Sequence, residues 1–291
     1  MEIKIINHNL NKKTHQKGMK NYQVGALFFA ICLAISALGL VSCDRKEEKK
    51  FRIGFSQCVS NDAWRRAMHE EMFRELSFYP DMYLEIKDAE GNSEKQIEQI
   101  SEFLEEGIDL LIVSPNESEP ITPIVEEAFQ KGIPVIVIDR KINSNLYSSY
   151  IGGDNYEIGY TAGQYIRNIL NGEGRILEIW GLKGSSPANG RHRGLVDALD
   201  GSDIQIAYEV EGKWEKDTAR LQLKNLLLGE ENVEFDLVFG HNDVMAIGAF
   251  EISQTLGSRG KKFVGVDALP GPYGGIQAVA DGILNATFFY P

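Results

Sequence analysis

From residue 51 onward the chain alternates short apolar runs with longer stretches whose apolar positions recur every three or four residues. The first pattern has the period of a strand and the second that of a helix packed on one side. Strands are predicted near 51–56, 82–88, 109–113, 134–138, 149–152, 175–180, 203–210, 235–239, 262–266 and 283–288. "PVIVI", Pro134 to Ile138, does not alternate at all, which is the pattern of a central parallel strand covered on both faces. Helices fill the gaps. In "EKQIEQISEFLEEG", Ile97, Ile100, Phe103 and Leu104 fall on one helical face, with Ser93 placed to cap the start and Gly107 to stop the end. Repeated β-α-β units imply parallel sheets with helices on both faces.

Two such series follow one another, joined at "IGGDN", Ile151 to Asn155, where paired glycines beside Asp and Asn tolerate unusual backbone angles and suit a hinge. The expected fold class is therefore α/β, two doubly wound parallel-sheet lobes facing each other across a cleft. The first lobe is expected over residues 51–153 and the second over 154–286, with a crossover at the hinge over 287–291 that the family resemblance given below implies.

In open parallel sheets ligands bind beyond the carboxyl ends of the strands, so the residues found there are the candidates for chemistry. They are Asp62 and Trp64 after the first strand, Asp139 and Arg140 after the fourth, and Arg191 after the sixth, at the start of a helix. Trp214 follows the seventh, Asn242 and Asp243 the eighth, and Asp267 the ninth. Carboxylates beside guanidiniums and amides suit a neutral, polyhydroxylated ligand, because each hydroxyl both donates and accepts. Trp64 and Trp214, one from each lobe, offer aromatic faces for the C–H patches of a sugar ring. Taken singly, each residue has a plainer reading: Asp139 and Arg140 as a structural ion pair, Trp64 as core, and Asp243 as the helix N-cap, leaving Asn242 to face the cleft. Their recurrence at one edge of two sheets carries the reading.

Composition and charge narrow the setting. At 43% hydrophobic and 25% charged the chain has the composition of a folded protein, not a disordered one. Its net charge of −12 hides a basic start: residues 1–42 carry five Lys and one Glu, leaving −16 on the remainder. A body that acidic, without a basic stripe, argues against nucleic acid as a partner. Val24 to Val41 is uninterruptedly apolar and follows Lys12, Lys13, Lys17 and Lys20, the arrangement of an export signal or membrane anchor. It ends in "LVSC", which resembles the lipobox of bacterial lipoproteins and makes Cys43 the candidate for lipidation. Residues 1–43 are thus expected to be a signal peptide or anchor, and 44–50, "DRKEEKK", a charged tether. Of the three cysteines only Cys58 lies in the body, where a small buried hydrophobe is expected rather than a nucleophile.

From Phe51 the chain resembles the type I periplasmic sugar-binding proteins, the ribose-binding-protein group, in "IPVIVIDR", "IGGDNYEIGYTAGQYI", "GRHRGLVDAL", "FGHNDVMAIGAF" and "VGVDA". The resemblance implies lobe closure on a sugar, with Asp62, Trp64, Asp139, Arg140, Arg191, Trp214, Asn242 and Asp267 at sugar-contacting positions and Tyr290 at another. The ribose-type proteins usually have Gln where Tyr290 stands, and an Asn with paired Phe where this chain has "DAW", departures that bear on which sugar is bound. "IGFSQCVSNDAWRRAMHEEM" and "NATFFYP" are similar to the sensor domains of Bacteroides-type hybrid two-component regulators, in which a membrane helix and a histidine kinase follow. The resemblance implies a sensor with kinase domains as downstream partners, the alternative being a lipoprotein receptor that serves an ABC transporter permease. It also places Pro291 within the crossover, so that a continuation would complete the first lobe and cover apolar surface on it.

No G-x-S-x-G, Walker loop, G-x-G-x-x-G or H-E-x-x-H is present, so no catalytic site, cofactor or metal is expected. His192 and His241 lie near the cleft without metal-ligand company, and His69 reads as a helix-surface residue. A DNA-binding repressor built on the same fold carries a helix-turn-helix where this chain has its apolar leader.

Overall fold

The computed structural model describes residues 50–229 and 232–291, and the expected signal segment, tether and Cys43 lie outside them, apart from Lys50. The first lobe runs β1 (Phe51–Gln57), α1 (Ala63–Leu76), β2 (Met82–Asp88), α2 (Ser93–Glu106), β3 (Leu110–Ser114), α3 (Ser118–Gln130), β4 (Val135–Ile138) and β5 (Ser149–Ile151). The second runs α4 (Asn155–Ile169), β6 (Glu173–Trp180), α5 (Ser186–Leu199), β7 (Asp203–Glu211), α6 (Lys216–Gly229), β8 (Leu237–Gly240), α7 (Asp243–Thr255), β9 (Lys262–Asp267), α8 (Gly275–Ala280) and β10 (Ala286–Phe289). Every pairing is parallel, and the orders β2-β1-β3-β4-β5 and β7-β6-β8-β9-β10 are the same order written twice. Each sheet therefore reverses its winding once, between β1 and β3 and between β6 and β8, which opens a crevice at the carboxyl edge.

The apolar run that predicted a doubly covered strand divides its side chains as a pleat requires. Val135 and Val137 of β4 join Ile100 and Phe103 of α2 and Ile121 and Val125 of α3, whereas Ile138 turns to Ile53, Phe55 and Ile112 on the opposite face. In the second lobe α6 and α7 cover one face, with Leu223, Met245 and Ala249 against Leu177 and Val238. α4 and α5 cover the other, with Ile166 and Leu195 against Phe239 and Val264. On the corresponding face of the first lobe the described residues supply only α1. A groove of about 660 Å³ beside it is lined by Met68, Met72, Ile136 and Ile151.

Several local expectations need correction. Asn92, not Ser93, caps α2, its side chain accepting from the Lys95 N–H at 3.0 Å, while Gly107 ends the helix in the left-handed conformation as expected, at φ +75°. The second lobe does not end at residue 286: residues 286–289 pair with β9, and Phe288 packs into the lobe's core, so only Tyr290 and Pro291 are left beside the hinge. Gly152 and Gly153 do mark the passage between lobes, but neither has a positive φ. They are needed for close approach. A Cβ on Gly152 would lie 2.3 Å from the Tyr150 hydroxyl, and one on Gly153 2.8 Å from the Tyr290 ring.

α4 and α5 approach closely for the same reason. A Cβ on Gly159 would lie 2.1 Å from the Arg191 carbonyl oxygen, and one on Gly163 2.6 Å from the Ala198 Cβ. Gly159→Ala must push the two helices apart, and overpacking of this kind costs about 1–3 kcal/mol. An unfolding free energy lowered by that amount in a urea titration is expected; an unchanged one would mean that the helices are not packed this closely.

Candidate functional site

The strand ends of both sheets meet at one cavity of about 90 Å³. All nine residues singled out from the sequence line it: Asp62, Trp64, Asp139 and Arg140 from the first lobe, Arg191, Trp214, Asn242 and Asp267 from the second, and Tyr290 from the crossing. On the same measure one water needs about 10–15 Å³, so the space is of the scale of a single sugar ring.

Three of these side chains stand on backbone that residues other than glycine rarely adopt. Asp139 has φ +60°, Trp214 +69° and Asp267 +124°. Such conformations cost of order 1–3 kcal/mol each and persist only where the surroundings enforce them. At Asp139 the enforcement is visible: its carbonyl accepts from the Tyr150 hydroxyl at 3.0 Å and from the Tyr290 hydroxyl at 3.4 Å. At Trp214 the ring lies flat on Gly181, where a Cβ would meet it at 2.2 Å. At Asp267 the next residue, Ala268, is held by its N–H to the Asp243 carboxylate at 2.9 Å.

That last contact reassigns the eighth strand's end. Asn242 is the helix cap, its side-chain oxygen accepting from the Met245 N–H at 3.0 Å and its amide donating to the Trp214 carbonyl at 3.1 Å. Asp243, expected to cap, is instead the first residue of α7, with its carboxyl wedged against Gly265 and Gly275. Burial lifts its pKa to about 6. Arg191 also differs from expectation, lying five residues inside α5, which begins at Ser186. There its Nε donates to Asn155 Oδ1 at 3.0 Å and its Nη1 to the His241 carbonyl.

Asp139 and Arg140 are not each other's main partner, since Arg140 Nε stands 3.8 Å from Asp139 Oδ2. Asp139 is instead held by Arg65, whose Nη2 donates to Oδ2 at 2.7 Å, and by the Tyr290 hydroxyl, which donates to Oδ1 at 2.7 Å. Arg65 also donates to Asp62, from Nη1 to Oδ2 at 2.8 Å. Arg140 hydrogen-bonds the Asn116 carbonyl at 2.8 Å and, like Arg191, lies over the face of Trp214, at 5.7 and 5.5 Å respectively. Trp64 packs against Tyr290, with ring centroids 5.5 Å apart. The two lobes touch again where the Ser118 N–H donates to the Gly184 carbonyl at 3.0 Å and the Lys141 N–H to Ser186 Oγ at 2.7 Å.

Two sets of residues escaped the sequence. Arg65 was passed over because it stands in the first turn of a helix, and only the fold carries its guanidinium into the cavity. Glu178 sits within the strand run "RILEIW", yet it is buried beneath the site and takes hydrogen bonds from both His192 and His241, at 2.9 and 2.8 Å. Burial opposes its charge, but those two bonds bring its pKa below the usual range. The Gly181 N–H donates to His241 Nδ1, so His241 carries its proton on Nε2, toward Glu178. His69 is half-buried against Phe55 rather than a free surface residue. Cys58 is buried, as expected.

The match to known proteins follows this geometry. Residues 53–291 match the family described as periplasmic binding protein domain, and the chain belongs to that family. The ribose import binding protein of Bacillus subtilis is 28% identical over 240 residues, spanning 82% of this chain and 76% of its own length. That of Escherichia coli is 30% identical over 204 residues, 70% and 67% of the two chains. Among solved structures, the fructose-binding periplasmic domain of a hybrid two-component system superposes with a TM-score of 0.78 at 46% identity, covering 83% of this chain and 80% of its own. An ABC transporter solute-binding protein from Bacillus halodurans with bound myo-inositol gives 0.77 at 25%, with 83% of each chain covered. The type I fold of two parallel-sheet lobes is shared with them. Among the described residues no helix is long and apolar enough to cross a membrane.

Among the described residues none hydrogen-bonds the Asp267 side chain, which is only partly exposed, and its desolvation in the cleft raises its pKa from 3.8 to about 8, with Arg191 pulling the other way. A carboxyl whose pKa is raised by folding is protonated in the folded state while the unfolded chain has already ionised. Stability is therefore lost as pH rises from about 4 to about 8. Asp267→Asn, which cannot ionise, should melt higher than the wild type at pH 8 and about level with it at pH 4. Equal differences at both pH values would show that Asp267 is ionised in the folded protein.

Proposed function

We propose that this protein binds one small sugar between its two lobes, outside the cytoplasmic membrane, as the sensor domain of a hybrid two-component signalling protein. The observation that carries the reading is the cavity itself. Three carboxylates, three guanidiniums, two indoles and a phenol from both sheets converge on a space the size of one ring. Hydroxyls meet both donors and acceptors there, and C–H faces meet aromatic ones. A ligand touching both lobes favours whichever arrangement brings them together, and the shift in that equilibrium is the signal.

The sensor role is supported by the 46% identical fructose-binding periplasmic domain of a hybrid two-component system, which also makes D-fructose the first ligand to try. Ribose import binding proteins and ABC transporter receptors among the relatives favour the second reading, a receptor that delivers sugar to a permease. The reading places the body on a tether, either the apolar segment 24–41 or a lipid on Cys43. It is one of binding without turnover, so the sugar is released unchanged.

Thermal melts of the protein with fructose, ribose, galactose, myo-inositol and sucrose test it. Ligand at about a hundred times its dissociation constant stabilises the folded state by about 2.7 kcal/mol. A raised melting temperature with a monosaccharide and none with the disaccharide is expected. A cooperative melt that no sugar moves would contradict the proposal. Sensor and receptor separate in the cell: deletion should abolish the transcriptional response to the sugar while uptake continues, whereas lost uptake would favour the receptor.

A further inference from the structure

The end of the first lobe away from the cavity carries an apolar patch. Phe51, Phe73, Phe78, Tyr79 and Met82 are 37–72% exposed there. The fold gathers them at the amino edge of the sheet. Phe51 opens β1 beside Met82, which opens β2, and the Phe51 N–H donates to the Asp81 carbonyl at 2.8 Å. Both lie two residues before Ile53 and Leu84, which pack with Leu76 of α1, so both side chains stand on the α1 side of the sheet. Phe73 precedes Leu76 by one turn of α1. Phe78 and Tyr79 follow in the turn that joins α1 to β2, where the Tyr79 N–H donates to the Leu76 carbonyl at 2.9 Å and the Met82 N–H to the Tyr79 carbonyl at 3.0 Å. None of the five lines the groove beside α1. Exposed apolar side chains scattered singly are ordinary, whereas a group of this kind marks a contact surface.

The chain beside the patch indicates what it contacts. The apolar run 24–41 and Cys43 are separated from Phe51 only by residues 44–50. A link of seven residues spans at most about 25 Å. Short flexible links hold a surface at an effective concentration of order millimolar, so contacts too weak to recruit a free protein are sufficient. Aromatic side chains settle at the headgroup level of a bilayer, and a single lipid chain anchors only marginally without a second contact. The link also carries Arg45, Lys46, Lys49 and Lys50 against Asp44, Glu47 and Glu48, so the strong negative charge of the body does not extend to the segment entering the patch.

Resting on the reading that the body is tethered to a membrane through segment 24–41 or a lipid on Cys43, we propose that this patch docks on the lipid–water interface of that membrane. The amino edge of the first sheet then faces the bilayer. The cavity, at the carboxyl edge of the same strands, faces away from it and stays open to ligand. Docking holds the first lobe and leaves the second to move when the lobes close.

The three tryptophans of the chain, Trp64, Trp180 and Trp214, all lie toward the carboxyl edges of the sheets, so their emission is a background that lipid should not alter. The full chain, purified with its own tether and reconstituted into vesicles of phosphatidylethanolamine and phosphatidylglycerol with brominated acyl chains, tests the proposal, because bromine quenches only an indole that reaches it. Phe78→Trp is expected to lose the larger part of its added emission, and Tyr79→Trp asks the same question independently should the first variant fail to fold. Tyr273→Trp, at a position 92% exposed in the loop after β9 of the second lobe, is expected to keep its emission, as is the wild type. Patch indoles left unquenched on a chain that floats with the vesicles, or equal quenching at position 273, would overturn the docking while leaving the tether standing. A chain that does not float with the vesicles overturns the tether reading and the docking together.

Discussion

The structure turns on a single buried carboxylate. Asp139 ends β4 in a left-handed backbone conformation, accepts from a guanidinium of its own lobe, and accepts from Tyr290 of the other. Removing one partner of a buried charge pair leaves the other uncompensated, a loss of about 3–5 kcal/mol. The position therefore fixes the geometry around it. Tyr290 is drawn across the hinge, Gly152 and Gly153 are kept bare so that two tyrosines can reach Asp139, and Arg65 is held between Asp139 and Asp62. Asp139 entered as a candidate ligand acceptor and emerges chiefly as the anchor that joins the two lobes.

With that acceptor committed internally, recognition shifts to the groups left open. Arg140 and Arg191 are braced by backbone carbonyls and stacked on Trp214, so their remaining N–H groups are presented without the entropy of free side chains. Beneath them Glu178 holds His241, whose carbonyl in turn holds Arg191. This buried chain of contacts reaches from the centre of β6 to the cavity wall, and it explains why a carboxylate lies in the middle of an otherwise apolar strand.

Much of this was legible in the residues. The unbroken "PVIVI" specified a doubly covered strand, because no alternation survives when both faces are buried, and the polar pair after it marked the carboxyl edge. Capping residues were the weakest signal. "ND" and "NS" each offer two adjacent caps, and only the seating of the strand or loop before the helix chooses between them, in favour of Asn242 and Asn92. Arg65 and Glu178 were invisible for a different reason. A long side chain in a first helical turn, or a charge inside a strand, acquires its role from partners some 74 and 63 residues away in the chain, and no local pattern encodes those distances.

The central claim is that one sugar sits between the lobes and is held by both. A crystal structure of the protein with the sugar that most raises its melting temperature tests it most directly. The account predicts a single ring in the cavity, with oxygens within hydrogen-bond distance of side chains from both lobes. A sugar bound to one lobe alone, or outside the cavity lined by Trp64 and Trp214, would contradict it.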